Sequence, residues 1–345
     1  MVRKTRVRKQ AVRSKARSRI TSKAGKGLEI RGPVLFASML PAPEGPTVGP
    51  NGWILNVCSF TTDNTWPRKA GDISATHIRK PLVTHTVFNT STDKATGIPA
   101  ALKFGPDGNL YVTDEGRLAI VRVTPEGEKT DFIFEYQGKR LNGPNDLCFD
   151  EEGNLFFTDP WKSSLKNPIG AVYGYVWKTG ELHQIHGGLA FPNGILVREG
   201  RVYAAETQTN KIWTYDVVGP GQAKNPREFC RLPDLIPDEK GWTGPDGMCF
   251  DAEGNIYIAT LGLKGGGVLV YNPEGKLIET INTGGARTTN VCFGGPGHDQ
   301  LFVTIDDLRA MVVFDLGVRG YRLPFCPSRS KDHPWSRMLP ETPKL

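Results

Sequence analysis

An internal repeat constrains this sequence more than any other feature. The segments GPNDLCFDEEGNLFFTD from Gly143, GPDGMCFDAEGNIYIAT from Gly244 and GIPAALKFGPDGNLYVTD from Gly97 share one pattern of apolar and turn residues. Three more divergent copies are FPNGILVREGRVYAAE from Phe191, TTNVCFGGPGHDQLFVT from Thr288 and EGPTVGPNGWILNVCSF from Glu44. A repeat of this kind indicates a structural unit that recurs and buries its apolar surface against its neighbours.

Each copy consists of a short strand, a turn rich in Gly, Asn, Asp or Pro, and a second strand rich in aromatic and β-branched residues. Segments between the copies, such as VYGYVWKTGELHQIH, supply two more strands per unit. Equivalent positions at the start of the copies are Glu44, Ala100, Asn145, Asn193, Asp246 and Thr289, at intervals of 56, 45, 48, 53 and 43 residues. This spacing predicts an all-β fold, a six-bladed β-propeller with four-stranded blades and a central channel.

Two other architectures are disfavoured. A seventh blade would need a further copy in Cys58 to Gly97 or in Ala204 to Gly241, and neither stretch contains one. A barrel of alternating strands and helices is excluded because helical periodicity is nearly absent. Propellers usually close by pairing the two ends of the chain, so GPVLFASML is expected to pair with the strand MVVFDL.

Charge divides the chain into three predicted parts. Residues 1–27 contain 11 Lys or Arg and no acid, which leaves 32 basic and 36 acidic residues in the remainder. We expect this tail to be disordered and dispensable for catalysis. An organellar transit peptide and a nucleic-acid contact are the alternatives for it. Residues 28–325 are predicted to form the propeller, and residues 326–345 a C-terminal extension.

Cysteine usage and hydropathy bear on the compartment. The six cysteines, at positions 58, 148, 230, 249, 292 and 326, form no CxxC pair and no cluster with metal-ligand spacing. We therefore predict packed, reduced cysteines and a cytoplasmic protein, with organellar targeting by the tail as the alternative. No apolar run approaches the roughly 20 residues that span a bilayer, so no membrane partner is expected. No nucleic acid is expected for the folded body, and the oligomeric state is not predicted.

The equivalent positions of the repeat indicate a binding site. In a propeller they converge near one mouth of the channel, and four of them carry oxygen donors: Glu44, Asn145, Asn193 and Asp246. Turn chemistry is the competing interpretation, because Asn and Asp also cap their own turns. The other two copies, with Ala and Thr, show that the turn needs no such donor. Two carboxylates and two amide oxygens suit one divalent cation, with Ca²⁺ or Mg²⁺ favoured and Mn²⁺, Fe²⁺ or Zn²⁺ as alternatives.

The motifs YQGKRLNGPNDLCFDEEGNLFFTDP, FPNGI, GPDGMCFD and TNVCFGG occur in this order between about Leu28 and Val318. In them the chain resembles the senescence marker protein (regucalcin)/gluconolactonase family, and its bacterial sugar-lactonase branch in particular. The resemblance implies a divalent metal held by Glu44, Asn193 and Asp246. It also implies that Asn145 lies beside the metal and contacts it directly or through water and substrate.

These observations predict a hydrolase of the gluconolactonase type that opens a sugar (aldono-) lactone, such as gluconolactone, by a metal-polarised carbonyl and activated water. Asp246 is the candidate general base. Asn145, Asn142 and Trp161 are the candidate contacts for the small-molecule lactone. The acids that end three second strands, Asp114, Asp159 and Glu206, are assigned to the scaffold. A related propeller esterase or phosphotriesterase and a non-catalytic propeller binding module are the alternatives.

Overall fold

The computed structural model describes residues 28, 30–59, 68–237, 242–262, 267–327 and 332–343. Within these residues the chain forms 26 β-strands and three short 3₁₀ turns, at Pro50–Gly52, Thr207–Thr209 and Pro334–Arg337. The predicted basic tail, residues 1–27, lies outside the described residues. None of the helices described is both long and apolar enough to cross a membrane.

Six antiparallel four-stranded sheets form the blades of a β-propeller, which confirms the predicted fold class. Blade 1 contains Pro43–Val48, Trp53–Cys58, Asp72–His77 and Lys80–Asn89. Blade 2 contains Pro99–Phe104, Leu110–Asp114, Ala119–Val123 and Lys129–Ile133. Blade 3 contains Leu147–Phe149, Leu155–Asp159, Gly170–Tyr175 and Leu182–Leu189. A small hairpin between blades 2 and 3 is formed by Glu135–Tyr136 and Lys139–Arg140.

The remaining blades continue the same order. Blade 4 contains Pro192–Arg198, Arg201–Glu206, Lys211–Gly219 and Gln222–Arg231. Blade 5 contains Gly244–Phe250, Ile256–Leu261, Gly267–Tyr271 and Leu277–Ile281. Blade 6 contains Thr288–Gly294, Gln300–Ile305, Ala310–Asp315 and, as its outermost strand, Arg31–Ser38.

The two ends of the chain close the ring in blade 6. The strand Arg31–Ser38 pairs antiparallel with Ala310–Asp315, with Leu35 opposite Val312. This pairing confirms the closure predicted for GPVLFASML and MVVFDL. It joins the N-terminal segment to the last blade, so the ring is held shut by main-chain hydrogen bonds as well as by packing.

The apolar core is divided among the junctions between blades. One cluster joins Trp53 and Leu55 of blade 1 to Leu102 and Val112 of blade 2. A second joins the sheets of blades 3 and 4 in the same way. All six cysteines are free, as predicted, and three of them are fully buried. Each blade is therefore stabilised by its two neighbours.

Buried hydroxyl groups connect neighbouring blades close to the channel. At five of the six junctions a Ser or Thr hydroxyl donates to the main-chain carbonyl of a residue at or beside the start of a neighbouring first strand. These bonds are Ser59 Oγ to Pro99 O (2.6 Å), Thr113 Oγ1 to Asn145 O (2.5 Å), Thr158 Oγ1 to Asn193 O (2.6 Å), Thr207 Oγ1 to Pro245 O (2.8 Å) and Thr289 Oγ1 to Pro43 O (2.7 Å). They place the first residues of the repeat at defined positions around the channel.

The C-terminal segment packs against the opposite end of the channel, where the first strands end. The Tyr321 N–H donates to the carbonyl of Phe250 (3.0 Å), and Phe325 packs edge-on against Phe149 (5.9 Å between ring centroids). Farther along, the fully buried Trp335 donates from Nε1 to the carbonyl of Gly108 (2.9 Å) in blade 2. Within the predicted extension, residues 326–345, it is Trp335 that joins the segment to blade 2, whereas the contacts with blades 3 and 5 are made by the residues just before it.

The hydroxyl at a blade junction should contribute measurably to stability. In Thr158→Val, the Asn193 carbonyl loses its donor and the Asp146 N–H (3.1 Å) loses its acceptor. Because both groups are buried, we expect the free energy of unfolding to fall by about 1–3 kcal/mol in urea titrations. Thr214→Val is the matched control, since Thr214 is also buried and its hydroxyl has no hydrogen-bond partner among the residues that the structure describes. Equal losses in the two variants would contradict the role of the junction.

Candidate functional site

Each blade contributes one polar side chain to the end of the channel where the first strands begin. Four of these side chains lie at the start of the first strand of their blade or just before it. In blade 2 the side chain follows the second strand instead, and in blade 6 it lies one residue farther along the first strand than the repeat position. In blade order they are Glu44, Glu115, Asn145, Asn193, Asp246 and Asn290. The set contains three carboxylates and three amides.

Two carboxylate–amide pairs cross blade junctions through hydrogen bonds: Asn290 Nδ2 donates to Glu44 Oε2 (3.0 Å), and Asn145 Nδ2 donates to Glu115 Oε1 (2.9 Å). At a third junction the Asn193 amide lies beside Asp246 and lowers the pKa of its carboxyl group. Each of the three acids thus has a neutral amide of the neighbouring blade beside it. The pairing stabilises the carboxylates without cancelling their charge.

The pairs determine which amide oxygens remain available. An ionised carboxylate only accepts hydrogen bonds, so Asn145 and Asn290 turn their NH₂ groups toward Glu115 and Glu44. The Oδ1 atom of Asn290 then accepts the Val291 N–H (2.8 Å). Neither Asn145 Oδ1 nor Asn193 Oδ1 accepts a hydrogen bond from the residues that the structure describes. Two amide oxygens are therefore free beside the acids.

Burial and mutual repulsion make these acids unusually basic. Burial raises the pKa of Glu115 to about 8, and the charge of Glu44 adds to the shift. Burial also raises the pKa of Glu44 and raises that of Asp246 well above its ordinary range, and each is raised further by the buried Asp146. Throughout the described chain, no Lys or Arg forms a salt bridge with Glu44, Glu115 or Asp246. None of the described residues therefore gives these acids a cationic salt-bridge partner, and a bound cation would be needed to keep them ionised together near neutral pH.

This donor set is chemically suited to a hard divalent cation. Carboxylate and amide oxygens are the ligands that Ca²⁺ and Mg²⁺ prefer, and no Cys or His belongs to the six side chains. Among the described residues, no three Asp, Glu, His or Cys side chains alone stand close enough to hold an ion. The free amide oxygens of Asn145 and Asn193 are therefore needed to complete any such site.

Glycine follows three of the site residues because the neighbouring blade approaches too closely for a side chain. A Cβ atom on Gly45 would lie 2.5 Å from the Ala101 Cα, and one on Gly194 would lie 2.3 Å from the Asp246 carbonyl oxygen. A Cβ on Gly247 would lie 2.0 Å from the Asn290 amide. The glycines of the EGP, PNG and PDG motifs thus permit the blade contacts that assemble the site.

The two candidate substrate contacts lie on loops of blade 3 beside Asn145. The Asn142 N–H donates to Asp159 (2.9 Å), and its side-chain Nδ2 donates to the Ile169 carbonyl (3.2 Å). Trp161 is half-buried and packs on Gly143, where an added Cβ would lie 2.7 Å from the Trp161 Cβ. Trp161 therefore borders the mouth, whereas the amide of Asn142 is held by the loop that precedes Gly170–Tyr175.

The structure brings the four predicted metal-site residues to one end of the channel. It also places there two residues that the repeat did not identify, in the blades that carry Ala100 and Thr289. Asn290 directly follows Thr289, whose hydroxyl is used at a blade junction. Glu115 follows the strand that ends at Asp114, a residue already assigned to the scaffold. In the sequence, the one indication of these two residues was that Ala100 and Thr289 carry no carboxylate or amide. Their neighbouring residues were therefore the places to look for the missing ligand.

The three scaffold acids are engaged by their own loops. Asp114 accepts from Ile98 N and Arg117 N, Asp159 accepts from Asn142 N and Gly143 N, and Glu206 accepts from Ala190 N and Trp213 Nε1. These bonds fix the loops at the mouth of the channel. They leave the acids no role in the cation site.

Comparison with known proteins extends this description. The family model described as the SMP-30/gluconolactonase/LRE-like region matches residues 64–306. A diisopropyl-fluorophosphatase of Loligo vulgaris is 30% identical over 251 residues, which cover 68% of this chain and 76% of that protein. A gluconolactonase of Zymomonas mobilis is 31% identical over 59% of each chain, so the match spans less than two thirds of that relative.

Solved structures agree on the fold. A calcium-binding protein from Agrobacterium tumefaciens, described as regucalcin, superimposes with a TM-score of 0.65 at 20% identity. The match covers 84% of this chain and 95% of that protein. At this level of identity the similarity concerns the arrangement of the blades.

The raised pKa of Glu115 predicts an unusual dependence of stability on pH. The unfolded chain loses this proton near 4.5, whereas the metal-free folded protein keeps it until about 8. The folded state binds more protons between these values, so this contribution to stability falls as pH rises from about 4.5 to about 8. In thermal unfolding with EDTA, we expect a smaller loss of stability over this range in Glu115→Gln than in the wild type. The exposed Glu128→Gln in the same blade is the control, and an identical pH profile for all three proteins would contradict the assignment.

Proposed function

The chain belongs to the SMP-30/gluconolactonase/LRE-like family, and we propose that it is a metal-dependent lactonase that hydrolyses a sugar lactone such as gluconolactone. The observation that supports this proposal most directly is the group of buried acids beside two free amide oxygens at one end of the channel. The Zymomonas relative carries the name gluconolactonase, which supports the substrate class.

We assign Glu44, Asn145, Asn193 and Asp246 as the residues that hold the cation. Two carboxylates and two amide oxygens favour Ca²⁺ or Mg²⁺. The structural relative from Agrobacterium, which is described as calcium-binding, supports Ca²⁺. Such an ion, when bound, polarises a substrate carbonyl and lowers the pKa of water. Asn290 and Glu115 hold the neighbouring ligands in place through the hydrogen bonds described above.

Asp246 is the proposed general base. Burial and the neighbouring Glu44 raise its pKa in the metal-free protein, and a bound cation would favour the ionised carboxylate that can accept a proton. It takes one proton from a water molecule as the water oxygen bonds to the lactone carbonyl carbon. The ring C–O bond then breaks, and the ring oxygen receives the proton to give the open hydroxy acid.

Substrate orientation is assigned to the loops of blade 3. Trp161, half-buried at the mouth, offers part of its ring to the apolar face of a sugar, and Asn145 contacts the reacting group. Asn142 contributes through the loop geometry that its side chain fixes. Because the cysteines are free, we also assign the reaction to the reducing cytoplasm.

Removal of the proposed cation site should abolish lactone opening. We expect EDTA to stop acid release from gluconolactone in a pH-indicator assay and Ca²⁺, Mg²⁺ or Mn²⁺ to restore it. The variant Glu44→Gln/Asp246→Asn should lose at least about 10²-fold in kcat/KM, since it lacks both charged ligands and the base. Glu126→Gln/Asp93→Asn, which changes two exposed acids, is the control. Normal turnover by the first variant would disprove the site assignment.

Hydrolysis of phosphotriesters is the second candidate function. It is supported by the 30% identity to the squid diisopropyl-fluorophosphatase, which extends over more of this chain than the gluconolactonase match does. A cation held by the same donor set would bind a phosphoryl oxygen in place of a carbonyl oxygen, because both are hard oxygen ligands. The chemistry of the site therefore serves either substrate.

A substrate panel separates the two functions. We expect kcat/KM for aldonolactones to exceed that for a chromogenic phosphotriester by at least about tenfold, with both activities lost in Glu44→Gln/Asp246→Asn because the proposed site is shared. Trp161→Ala should raise KM for the sugar lactone more than for a small lactone without hydroxyl groups. A reversed preference would favour the phosphotriesterase, and no turnover of any substrate would favour a binding module.

A further inference from the structure

Glu115 supplies the polar side chain of blade 2 at the channel, where the repeat position of that blade carries no oxygen donor. Its blade carries Ala100 at the position where four other blades present an oxygen donor. The Glu115 side chain, which is 6% exposed, accepts from Asn145 Nδ2 at 2.9 Å. No cationic side chain of the described residues forms an ion pair with it.

The residue of blade 6 at the position equivalent to Glu115 makes a different contact. Asp306 also follows the second strand of its blade, and its N–H donates to the carbonyl that precedes the first strand, as the N–H of Glu115 does. Asp306 forms a salt bridge with Arg287 (3.0 Å). Glu115 contacts a neutral amide of the neighbouring blade instead. The same backbone position thus carries a charge-compensated acid in one blade and an acid that contacts the site in the other.

The main chain of Asn145 is already fixed without Glu115. Its carbonyl accepts from Thr113 Oγ1 (2.5 Å), and its N–H donates to the Thr158 carbonyl (2.9 Å). What these bonds leave open is rotation of the terminal amide, whose oxygen and NH₂ group are nearly equal in size. When Glu115 is ionised, as a nearby cation would favour, its carboxylate decides this rotation, because it accepts from NH₂ and repels the oxygen.

We propose that Glu115 is a positioning residue that turns the oxygen of Asn145 toward the cation site. The inference rests on the proposed function, since it concerns the orientation of one of the proposed ligands. Without the carboxylate, the amide can present its NH₂ group to the cation, which is repulsive. Partners that orient metal ligands in this way typically change metal affinity by 10- to 100-fold when they are removed.

Calorimetric titration of metal-free protein with Ca²⁺ tests the proposal without relying on activity. We expect Glu115→Gln to weaken Ca²⁺ binding by about 10- to 100-fold, and the exposed Glu128→Gln to leave it unchanged. The decisive comparison repeats Glu115→Gln in an Asn145→Ala background. If Glu115 acts through the amide, its loss should weaken binding at least about threefold less there than in the wild type.

Equal losses in the two backgrounds would overturn the proposal, because they would show that Glu115 acts by its charge alone. Unchanged affinity in Glu115→Gln would also overturn it while leaving the cation site intact. A wild-type protein that binds none of Ca²⁺, Mg²⁺ and Mn²⁺ would contradict the proposed function itself. Thermal unfolding of each metal-free variant verifies folding, and Glu115→Ala replaces Glu115→Gln if the latter does not fold.

Discussion

The close approach of neighbouring blades at the channel is the constraint on which the site depends. At Gly194 and Gly247 the next blade lies so near that a Cβ atom would overlap it. Where neighbouring blades meet, a buried hydroxyl such as that of Thr158 donates a hydrogen bond to a main-chain carbonyl at the start of the adjoining first strand. Sterics and hydrogen bonds at these contacts therefore determine where each side chain enters the channel.

This geometry places three acids close together at one end of the channel, although their ionised forms repel one another. Glu44 and Glu115 each accept an amide N–H from an adjoining blade, and the Asn193 amide beside Asp246 lowers the pKa of that acid. Amides satisfy the hydrogen bonds without neutralising the charge. The resulting negative potential, with raised pKa values, is stabilised best by a cation, and this is the physical basis of the proposed activity.

Much of the fold could be read from local chemistry. The spacing of the copies, the turn residues and the absence of helical periodicity were sufficient to predict six blades. The usual closure of propellers predicted the pairing of GPVLFASML with the last sheet, which Arg31–Ser38 makes. Asn193 and Asp246 could be assigned to one region because repeat units place equivalent residues at equivalent positions. Symmetry of the unit, rather than knowledge of any contact, carried these predictions.

By itself, then, the sequence determined the blade count and four of the six polar residues at the site, because each follows from a repeated local pattern. The closure was predicted from the usual topology of propellers. Only the tertiary structure identified Glu115 and Asn290, which lie outside the common register and reach the channel because neighbouring blades bring them there. It also decided which amide oxygens are free, since hydrogen bonds across blade junctions orient the amides. Local patterns specify strands and turns, whereas contacts between distant segments depend on how the blades pack.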